Sequence, residues 1–364
     1  MKILKSSSEL VAWRQSVESS QVVGFIPTMG AFHDGHLSLI RRCTEESDIT
    51  IVSIFVNPKQ FGENEDLDLY PRNIESDLGA LEKLNVDAVF VSTYVNVVAE
   101  YVLRALEAGK HVFCEKPPAM NQSELKKIRE FQKKSNLILK YGFNHRYHYS
   151  VMEAKKIIDQ SSMGKLLWIR GVYGKAGSLD FDINWRNYKQ YSGGGILMDQ
   201  GIHMLDLFRY FSDDEFDCLV SYMDTIFWDI EHEDNAVLIL RSKSGVLSTL
   251  HSSANQWRHK FLLEMTFENG YINLDGILSS TGSYTPEKLI YGYRELEDIS
   301  KAMGKPNENI SHFESDDSWQ LELEEFIKAI RGDSAILHGS LDDALEVMKL
   351  IDTIYKKQKK IKLR

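Results

Sequence analysis

The sequence is poor in cysteine and proline and contains no long apolar run. Three cysteines and seven prolines occur among its 364 residues. A sparse, odd cysteine count without a C-x-x-C pair argues against a disulfide framework or a structural zinc site, and it is typical of a reducing cytoplasm. The start, MKILKSSSEL, lacks the apolar core of a signal peptide, and no apolar stretch approaches the roughly 18 residues of a membrane span. We therefore expect a cytoplasmic protein.

Positive charge is also in short supply. Lys and Arg number 43 against 53 for Asp and Glu, which gives a formal net charge of −10. A protein that neutralises nucleic-acid phosphates needs the opposite balance. The basic C-terminus, YKKQKKIKLR, is interpreted as a solvated helix end, where cations suit the helix dipole. We expect a small-molecule substrate, with no nucleic-acid partner, no membrane partner and no metal site.

Strand and helix patterns alternate up to residue 143. ITIVSIFVNP is a continuous apolar, β-branched run of the kind that is buried on both faces of a parallel sheet. VVGFIPTMG, VDAVFVS, HVFCEKP and LILKYGF are the other predicted strands. The alternation predicts one doubly wound, parallel, Rossmann-like sheet over residues 1–150, with VVGFIPTMG as a central strand.

The pattern changes after about residue 150. LLWIRGVYG, EDNAVLILRSKSGVLSTLHSSA and KFLLEMTFENGYINLDG indicate antiparallel strands, with turns at Ser244-Gly245 and Asn269-Gly270. Residues 151–364 are therefore predicted to form an α+β domain with a large, mostly antiparallel open sheet. Apolar residues on both faces of its strands, such as Val237 and Leu238, predict a homo-oligomer.

One motif near the N-terminus indicates phosphate binding. In GFIPTMGAFHDGHLSLI, His33 and His36 flank Asp34-Gly35 where a strand gives way to a helix. Helix N-termini at the carboxyl ends of parallel strands bind anions, and two imidazoles can donate to triphosphate oxygens. Gly35 permits close backbone approach. The alternative is two surface histidines at an ordinary helix cap.

This region resembles the pantothenate synthetase family, which joins pantoate to β-alanine with ATP. The resemblance rests on FIPTMGAFHDGHLSLIRR, IVSIFVNPKQFGENEDLDLYPR and DLGALEKLNVDAVF and covers about residues 1–90. It implies an ATP site and a neighbouring pantoate pocket, which Met29 helps to line. The predicted nucleotide-binding residues are Met29, Gly30, His33, Gly35 and His36, and the predicted substrate-binding residues are Gln60 and Asn57. The family's K-M-S-K-S-like loop and its C-terminal domain are not found downstream.

A second set of residues indicates proton transfer. Lys116 follows a predicted buried strand and precedes Pro117, so its amine is expected at the strand's carboxyl end, where burial could lower its pKa. Asp199 and His203 are four residues apart on a predicted helix and share one face. A carboxylate can orient an imidazole that takes a proton from a hydroxyl. The alternatives are a surface lysine and an ordinary core histidine.

From about residue 86 onward the chain resembles the Gfo/Idh/MocA family of NAD(P)-dependent oxidoreductases. The matching stretches are AEYVLRALEAGKHVFCEKP, GFNHRYH, MGKLLWIRGVYG, NWRNYKQYSGGGILMDQGIHMLDLFRYF and LEEFIKAIRGD. The resemblance implies a catalytic set of Lys116, Asp199 and His203 and a glycine loop, Gly193–Gly195, on the substrate side. Weaker candidates for substrate contact are His145, Arg146, Trp185 and Arg186.

The sequence lacks the G-x-G-x-x-G turn on which this oxidoreductase family depends for its dinucleotide. The segment that should carry it is the ligase-like segment, so the first domain is predicted to be a composite of residues 1–90 and 91–150. Three hypotheses follow. The protein is an oxidoreductase that acts on a sugar or polyol with weakened NAD or NADP binding, an ATP-binding protein of pantothenate synthetase type, or a catalytically inactive hybrid.

Overall fold

The computed structural model describes residues 22–28, 32–54, 87–177, 181–182, 184–279, 281–295, 304 and 307–359. Its strands are β1 (Val23–Thr28), β2 (Ile49–Ile54), β3 (Ala88–Val91), β4 (His111–Glu115), β5 (Leu139–Gly142), β6 (Leu166–Gly174), β7 (Phe216–Asp224), β8 (Asn235–Ser242), β9 (Leu247–Ser253), β10 (Lys260–Phe267), β11 (Gly270–Asp275), β12 (Glu287–Tyr293), β13 (Asn309–Phe313) and β14 (Gln358–Lys359). Its α-helices are α1 (Asp34–Glu46), α2 (Val95–Glu107), α3 (Gln122–Gln132), α4 (Tyr149–Asp159), α5 (Lys189–Ser192), α6 (Ile202–Ser212), α7 (Ser318–Arg331) and α8 (Leu341–Lys356). Met29, Gly30, Asn57 and Gln60 lie outside the described residues.

Strands β1 to β5 form a single parallel sheet, and their order in the sheet follows the chain. Strand β2, from the ligase-like segment, pairs with β3, which lies where the ligase-like and oxidoreductase-like segments overlap. The paired residues run from Ile51 with Ala88 to Ile54 with Val91. The predicted fold class is confirmed, and one sheet crosses the join between the two segments.

Strand β1 lies at the end of this sheet, next to β2, among the described strands. The prediction of a central position for VVGFIPTMG was wrong. Pro27 lies within β1, opposite Ser53. Proline has no backbone N–H to donate to a second neighbour, so it is tolerated in edge strands and disfavoured in central ones.

The chain divides into two compact units: residues 1–142 with 319–345, and residues 143–318 with 346–364. This differs from the division inferred from the sequence, because most of α7 packs on the parallel sheet. The shared core contains Ala88, Phe90, Phe113, Leu323, Phe326 and Ile327. Val89, between two of these core residues, is 1% exposed, so the opposite face of β3 is covered as well.

A buried ion pair fixes α7 to the same sheet. The Lys140 amine of β5 donates to Glu325 of α7 at 2.8 Å and to the carbonyl of His338. Burial opposes ionisation of Glu325, but the adjacent Lys140 charge and backbone donors hold the pKa of this carboxyl below its usual value. Removal of either partner would leave a buried charge unpaired, which is far more costly than loss of a surface pair.

The second unit contains a sheet of nine described strands in the order β13-β12-β11-β10-β6-β9-β8-β7-β14. Most neighbours are antiparallel, and β6 with β9 is a parallel exception. The predicted turns lie between β8 and β9, where Gly245 has φ 102°, and between β10 and β11. Such a positive φ is accessible to glycine at little cost.

The two faces of this sheet differ in exposure. On β8, Leu238 and Leu240 are fully buried, whereas Val237 is 47% and Ile239 37% exposed. Leu247 of β9 and Trp168 of β6 are also exposed on their strands. Among the described residues, no helix is both long and apolar enough to cross a bilayer.

The assignment of α7 to the first unit can be tested by replacing one of its buried side chains with alanine. Phe326 is 1% exposed, and Phe326→Ala should lower the free energy of unfolding by about 3–5 kcal/mol. Hydrogen exchange measured by mass spectrometry should rise in β3 and β4. Phe267→Ala, at an equally buried position of β10, is the matched control and should raise exchange in the larger sheet. Unchanged exchange in β3 and β4 after Phe326→Ala would contradict the assignment.

Candidate functional site

The site in the second unit is built around the helical turn Leu197–Gly201, which leads into α6. The preceding glycine loop is held by a buried carboxylate. Glu233 accepts hydrogen bonds from the amides of Gly195 at 3.2 Å and Leu197 at 3.1 Å, and from the Tyr355 hydroxyl at 2.9 Å. Burial raises the pKa of Glu233, and the hydrogen bonds from these donors lower it by a smaller amount. The loop therefore has a fixed position.

Two glycines of this loop are required by packing. A Cβ at Gly195 would come within 2.2 Å of the Glu233 carbonyl oxygen, and one at Gly194 within 2.2 Å of the Tyr355 hydroxyl. Gly193 has φ 71°, in the left-handed region. The backbone of this loop thus lies close to Glu233 and to Tyr355 of α8. The loop also sets the direction in which the Leu197–Gly201 turn starts.

Asp199, in this turn, is the centre of a charged cluster. Its Oδ2 accepts a short hydrogen bond from the Lys175 amine, and its Oδ1 lies 3.4 Å from Nε of Arg186. The side-chain amide of Gln200 also reaches Oδ2, at 3.4 Å. The Arg186 guanidinium lies over the ring of Trp185, 4.5 Å from its centroid. The structure thus brings together Asp199, Trp185 and Arg186, which were predicted separately.

His203 and His145, also predicted separately, form a stacked pair. Their ring centroids are 3.8 Å apart and the planes differ by 14°. His145 Nδ1 lies 3.1 Å from Oδ1 of Asn144, and its Nε2 lies 3.0 Å from the hydroxyl of Tyr173. Because an amide oxygen only accepts, Nδ1 of His145 carries the proton and Nε2 accepts from Tyr173. The imidazole of His145 is therefore held in one tautomer.

Two tyrosines and a third histidine extend this cluster. The ring of Tyr284 lies 5.4 Å from that of Tyr173 and 4.7 Å from that of His259. Burial raises the pKa of both tyrosines, and the nearby charge of Asp199 adds to it. Burial lowers the pKa of His259, as does the charge of Lys175. Both hydroxyls therefore stay protonated at neutral pH; that of Tyr173 donates to His145, and that of Tyr284 is buried without a hydrogen-bond partner among the described residues.

Lys175, Tyr173 and Tyr284 were not predicted as site residues. The sequence held one signal for two of them. In GVYGKAG, Tyr173 and Lys175 are two residues apart, so they lie on the same face of an extended segment. Arg146 is buried and paired with a carboxylate. It is 5% exposed and donates to Asp206 at 2.8 and 2.6 Å.

The histidine motif of the first unit lies at the N-terminus of α1. His33 is the N-cap, and its Nδ1 accepts from the Gly35 amide at 3.1 Å. The ring of His36 stacks on that of His33, with centroids 4.0 Å apart. A Cβ at Gly35 would come within 2.9 Å of the His33 ring, which explains the glycine. Because Nδ1 of His33 accepts, Nε2 carries its proton and is available as a donor.

The histidine motif does not offer the pyrophosphate of a dinucleotide the backbone contacts that a glycine turn offers. A G-x-G-x-x-G turn offers bare backbone amides to the phosphates, whereas the Gly35 amide is already bonded to His33. Lys116 belongs to the first unit and immediately follows β4, as predicted, while Asp199 and His203 belong to the second. Within the described part of the chain, no group of three or more His, Cys, Asp or Glu side chains is arranged to hold a metal ion.

Two protein families match different parts of this chain. Residues 2–117 match the pantoate-beta-alanine ligase family, and residues 151–273 match the GFO/IDH/MocA C-terminal domain family. The chain therefore combines segments of two families, and both predicted resemblances are confirmed. The ligase match extends past residue 90 and overlaps the segment in which the oxidoreductase resemblance was found.

Known proteins resemble the chain in the same two ways. The pantothenate synthetase of Staphylococcus haemolyticus is 52% identical over 90 residues, which are 24% of this chain and 32% of that protein. The pantothenate synthetase of Helicobacter pylori is 56% identical over 91 residues, which are 25% of this chain and 32% of that protein. The chain thus spans about a third of the length of the curated relatives that it matches.

Solved structures resemble nearly the whole chain. A levoglucosan dehydrogenase in complex with NADH and levoglucosan has a TM-score of 0.70 at 20% identity, covering 92% of this chain and 96% of that one. An aldose-aldose oxidoreductase from Caulobacter crescentus, complexed with glycerol, has a TM-score of 0.66 at 22% identity, with coverage of 92% and 96%. At these identities the likeness establishes the fold.

Proposed function

We propose that the protein is an oxidoreductase of the Gfo/Idh/MocA type that acts on a hydroxyl of a sugar or polyol, with weakened binding of its nicotinamide cofactor. The observation that carries this proposal is the convergence of His203, His145, Asp199 and Lys175 in the second unit. Two proteins of similar structure support the substrate and cofactor class: a levoglucosan dehydrogenase in complex with NADH and levoglucosan, and an aldose-aldose oxidoreductase.

The cluster has the parts that proton transfer needs. His203 is 4% exposed and stacks on a histidine whose tautomer is fixed. We assign to His203 the acceptance of the substrate hydroxyl proton, because imidazole changes charge near neutral pH. The ammonium of Lys175 would stabilise negative charge that develops on the hydroxyl oxygen. Asp199 holds that ammonium in place.

The nicotinamide cofactor would accept the hydride from the same carbon. Lys116 lies at the carboxyl end of β4, the end of a parallel strand at which ligands bind. The first unit lacks the glycine cradle, so we expect cofactor affinity to be low and turnover to be limited by cofactor occupancy rather than by the residues of the second unit. Excess NAD or NADP should then restore turnover.

A panel assay tests this function. Oxidation of sugars and polyols should be followed by NADH or NADPH absorbance at millimolar cofactor. His203→Gln should lower kcat by about 10²–10⁴-fold, because it removes the base without removing a polar side chain. His312→Gln, at an exposed position of β13, is the matched control and should leave kcat unchanged. Folded wild-type protein that turns over no member of the panel would contradict the proposal and favour the inactive hybrid.

A second candidate function is ATP binding by the first unit. The stacked pair of His33 and His36 at a helix N-terminus favours it, because the free ring nitrogen of His33 donates and the helix dipole attracts anions. We expect weak binding, because the lysine loop of the ligase family is not found downstream. This candidate is independent of the residues of the second unit.

Calorimetric titration with ATP, NADH and NADPH separates the two candidates. His33→Ala combined with His36→Ala should abolish ATP binding while the melting temperature stays within a few degrees, because His33 caps only one helix. His312→Ala should bind ATP as the wild type does. Micromolar binding of NADH without detectable ATP binding would contradict this second candidate.

We further propose that two copies of the chain associate through the outer face of the larger sheet. Val237 and Ile239 are exposed there, and Leu247 lies on the neighbouring strand. Multi-angle light scattering should give at least a dimer at micromolar concentration, and Val237→Lys combined with Ile239→Lys should give a monomer. Leu337→Lys, 70% exposed in the first unit, should leave the mass unchanged. A monomeric wild type would contradict the proposal.

A further inference from the structure

Both carboxylate oxygens of Asp199 contact cationic side chains. Lys175 bonds to Oδ2 and Arg186 approaches Oδ1 at 3.4 Å. The Gln200 amide also donates to Oδ2. A carboxylate that binds a neutral sugar usually accepts hydrogen bonds from hydroxyls, and this one is already engaged by donors of the protein. Asp199 therefore acts on its neighbours more than on a ligand.

The groups around Asp199 are mostly donors. Lys175 and Arg186 have only N–H groups to offer, and the hydroxyls of Tyr173 and Tyr284 stay protonated. The Lys175 side chain is 24% exposed and that of Arg186 46%, so both can be reached from solvent. These two cations share one carboxylate, which leaves them able to attract a further anion.

Lys175 is also held in a fixed position. Its backbone amide donates to the Ser253 carbonyl at 2.8 Å, and its own carbonyl accepts from Gln256 at 2.9 Å. The contact with Asp199 fixes the far end of the side chain. A lysine fixed at both ends loses little further conformational entropy when it binds a ligand. Its ammonium group is therefore presented to a ligand from one fixed position.

We propose that Lys175 and Arg186 are specificity-determining residues that select a sugar or polyol bearing a carboxylate or phosphate group. This inference rests on the proposed function, since the ligand occupies the same site. An anionic group on the ligand would accept from both cations and complete the charge balance around Asp199. A neutral sugar would leave these donors facing hydroxyls, which are weaker acceptors than an anion.

The competing explanation is that Lys175 only stabilises the fold by pairing with Asp199. The two explanations differ in what the lysine charge does for ligands. A purely structural lysine would affect the melting temperature and leave the preference between charged and neutral ligands unchanged. A specificity-determining lysine changes that preference, and arginine at the same position should retain it.

Calorimetry on the full chain tests this with three probes: gluconate, glucose 6-phosphate and glucose. Wild type should bind the two charged probes at least about tenfold more tightly than glucose, the expected range for hydrogen bonds to charged groups. Lys175→Met should abolish this preference, because it should lower the affinity for the two charged probes by a larger factor than the affinity for glucose. Lys175→Arg should restore it. Lys165→Met removes a charge from an exposed position of the same unit and should behave as wild type.

The outcomes separate this inference from the function on which it rests. Equal affinity for gluconate and glucose, unchanged in Lys175→Met, would overturn the inference and leave the sugar-binding proposal standing. Absence of binding for all three probes would overturn both. Inorganic phosphate that binds as tightly as glucose 6-phosphate would also overturn the inference, because it would identify a site for a bare anion. If Lys175→Met does not fold, a preference unchanged by Arg186→Gln would overturn it.

Discussion

The hydrogen bonding between β2 and β3 is the constraint on which the first unit depends. Strand β2 lies in the ligase-like segment and β3 lies where the two family resemblances overlap, and four consecutive residue pairs join them in parallel register. Parallel pairing is made by backbone groups, so it places few demands on side-chain identity beyond apolar faces that can be covered. The cover on one face comes from α7, more than two hundred residues further along the chain. The composite sheet is thus completed by a helix from the oxidoreductase-like segment.

Much of the fold could be predicted from the sequence, because the apolar patterns of its strands and helices are strong. The parallel sheet, the change of architecture after residue 150 and the glycine turns all followed from local pattern. The position of β1 was mispredicted, although Pro27 carried the signal. The place of α7 could not be inferred, because an amphipathic helix specifies that it packs and leaves open which sheet it packs on.

The candidate site was predicted in part for a similar reason. Asp199 and His203 were found through their spacing on one helix. The approach of His145 to His203 and of Lys175 to Asp199 depends on contacts between segments that are distant in sequence. No periodic pattern encodes such contacts. Arg146 shows the converse, since its residue type suggested ligand contact and its buried pairing with Asp206 indicates a role in the fold.

The residues around Asp199 are held by parts of the second unit alone. Glu233 fixes the glycine loop, Tyr355 of α8 binds Glu233, and β6 supplies Lys175. These contacts are all made between residues of the second unit. The internal carboxylate of Glu233 also occupies amides at the start of the Leu197–Gly201 turn, where an anionic ligand would otherwise be attracted.

The two ways of holding a phosphate differ in what they require. A glycine turn presents several backbone amides, whose dipoles are permanent and independent of pH. The histidine pair of α1 presents ring nitrogens, one of which is used to cap its own helix. We therefore expect the first unit, which has the histidine pair and no glycine turn, to bind nucleotides weakly. On this proposal, ligand selection depends on the fixed cluster of the second unit.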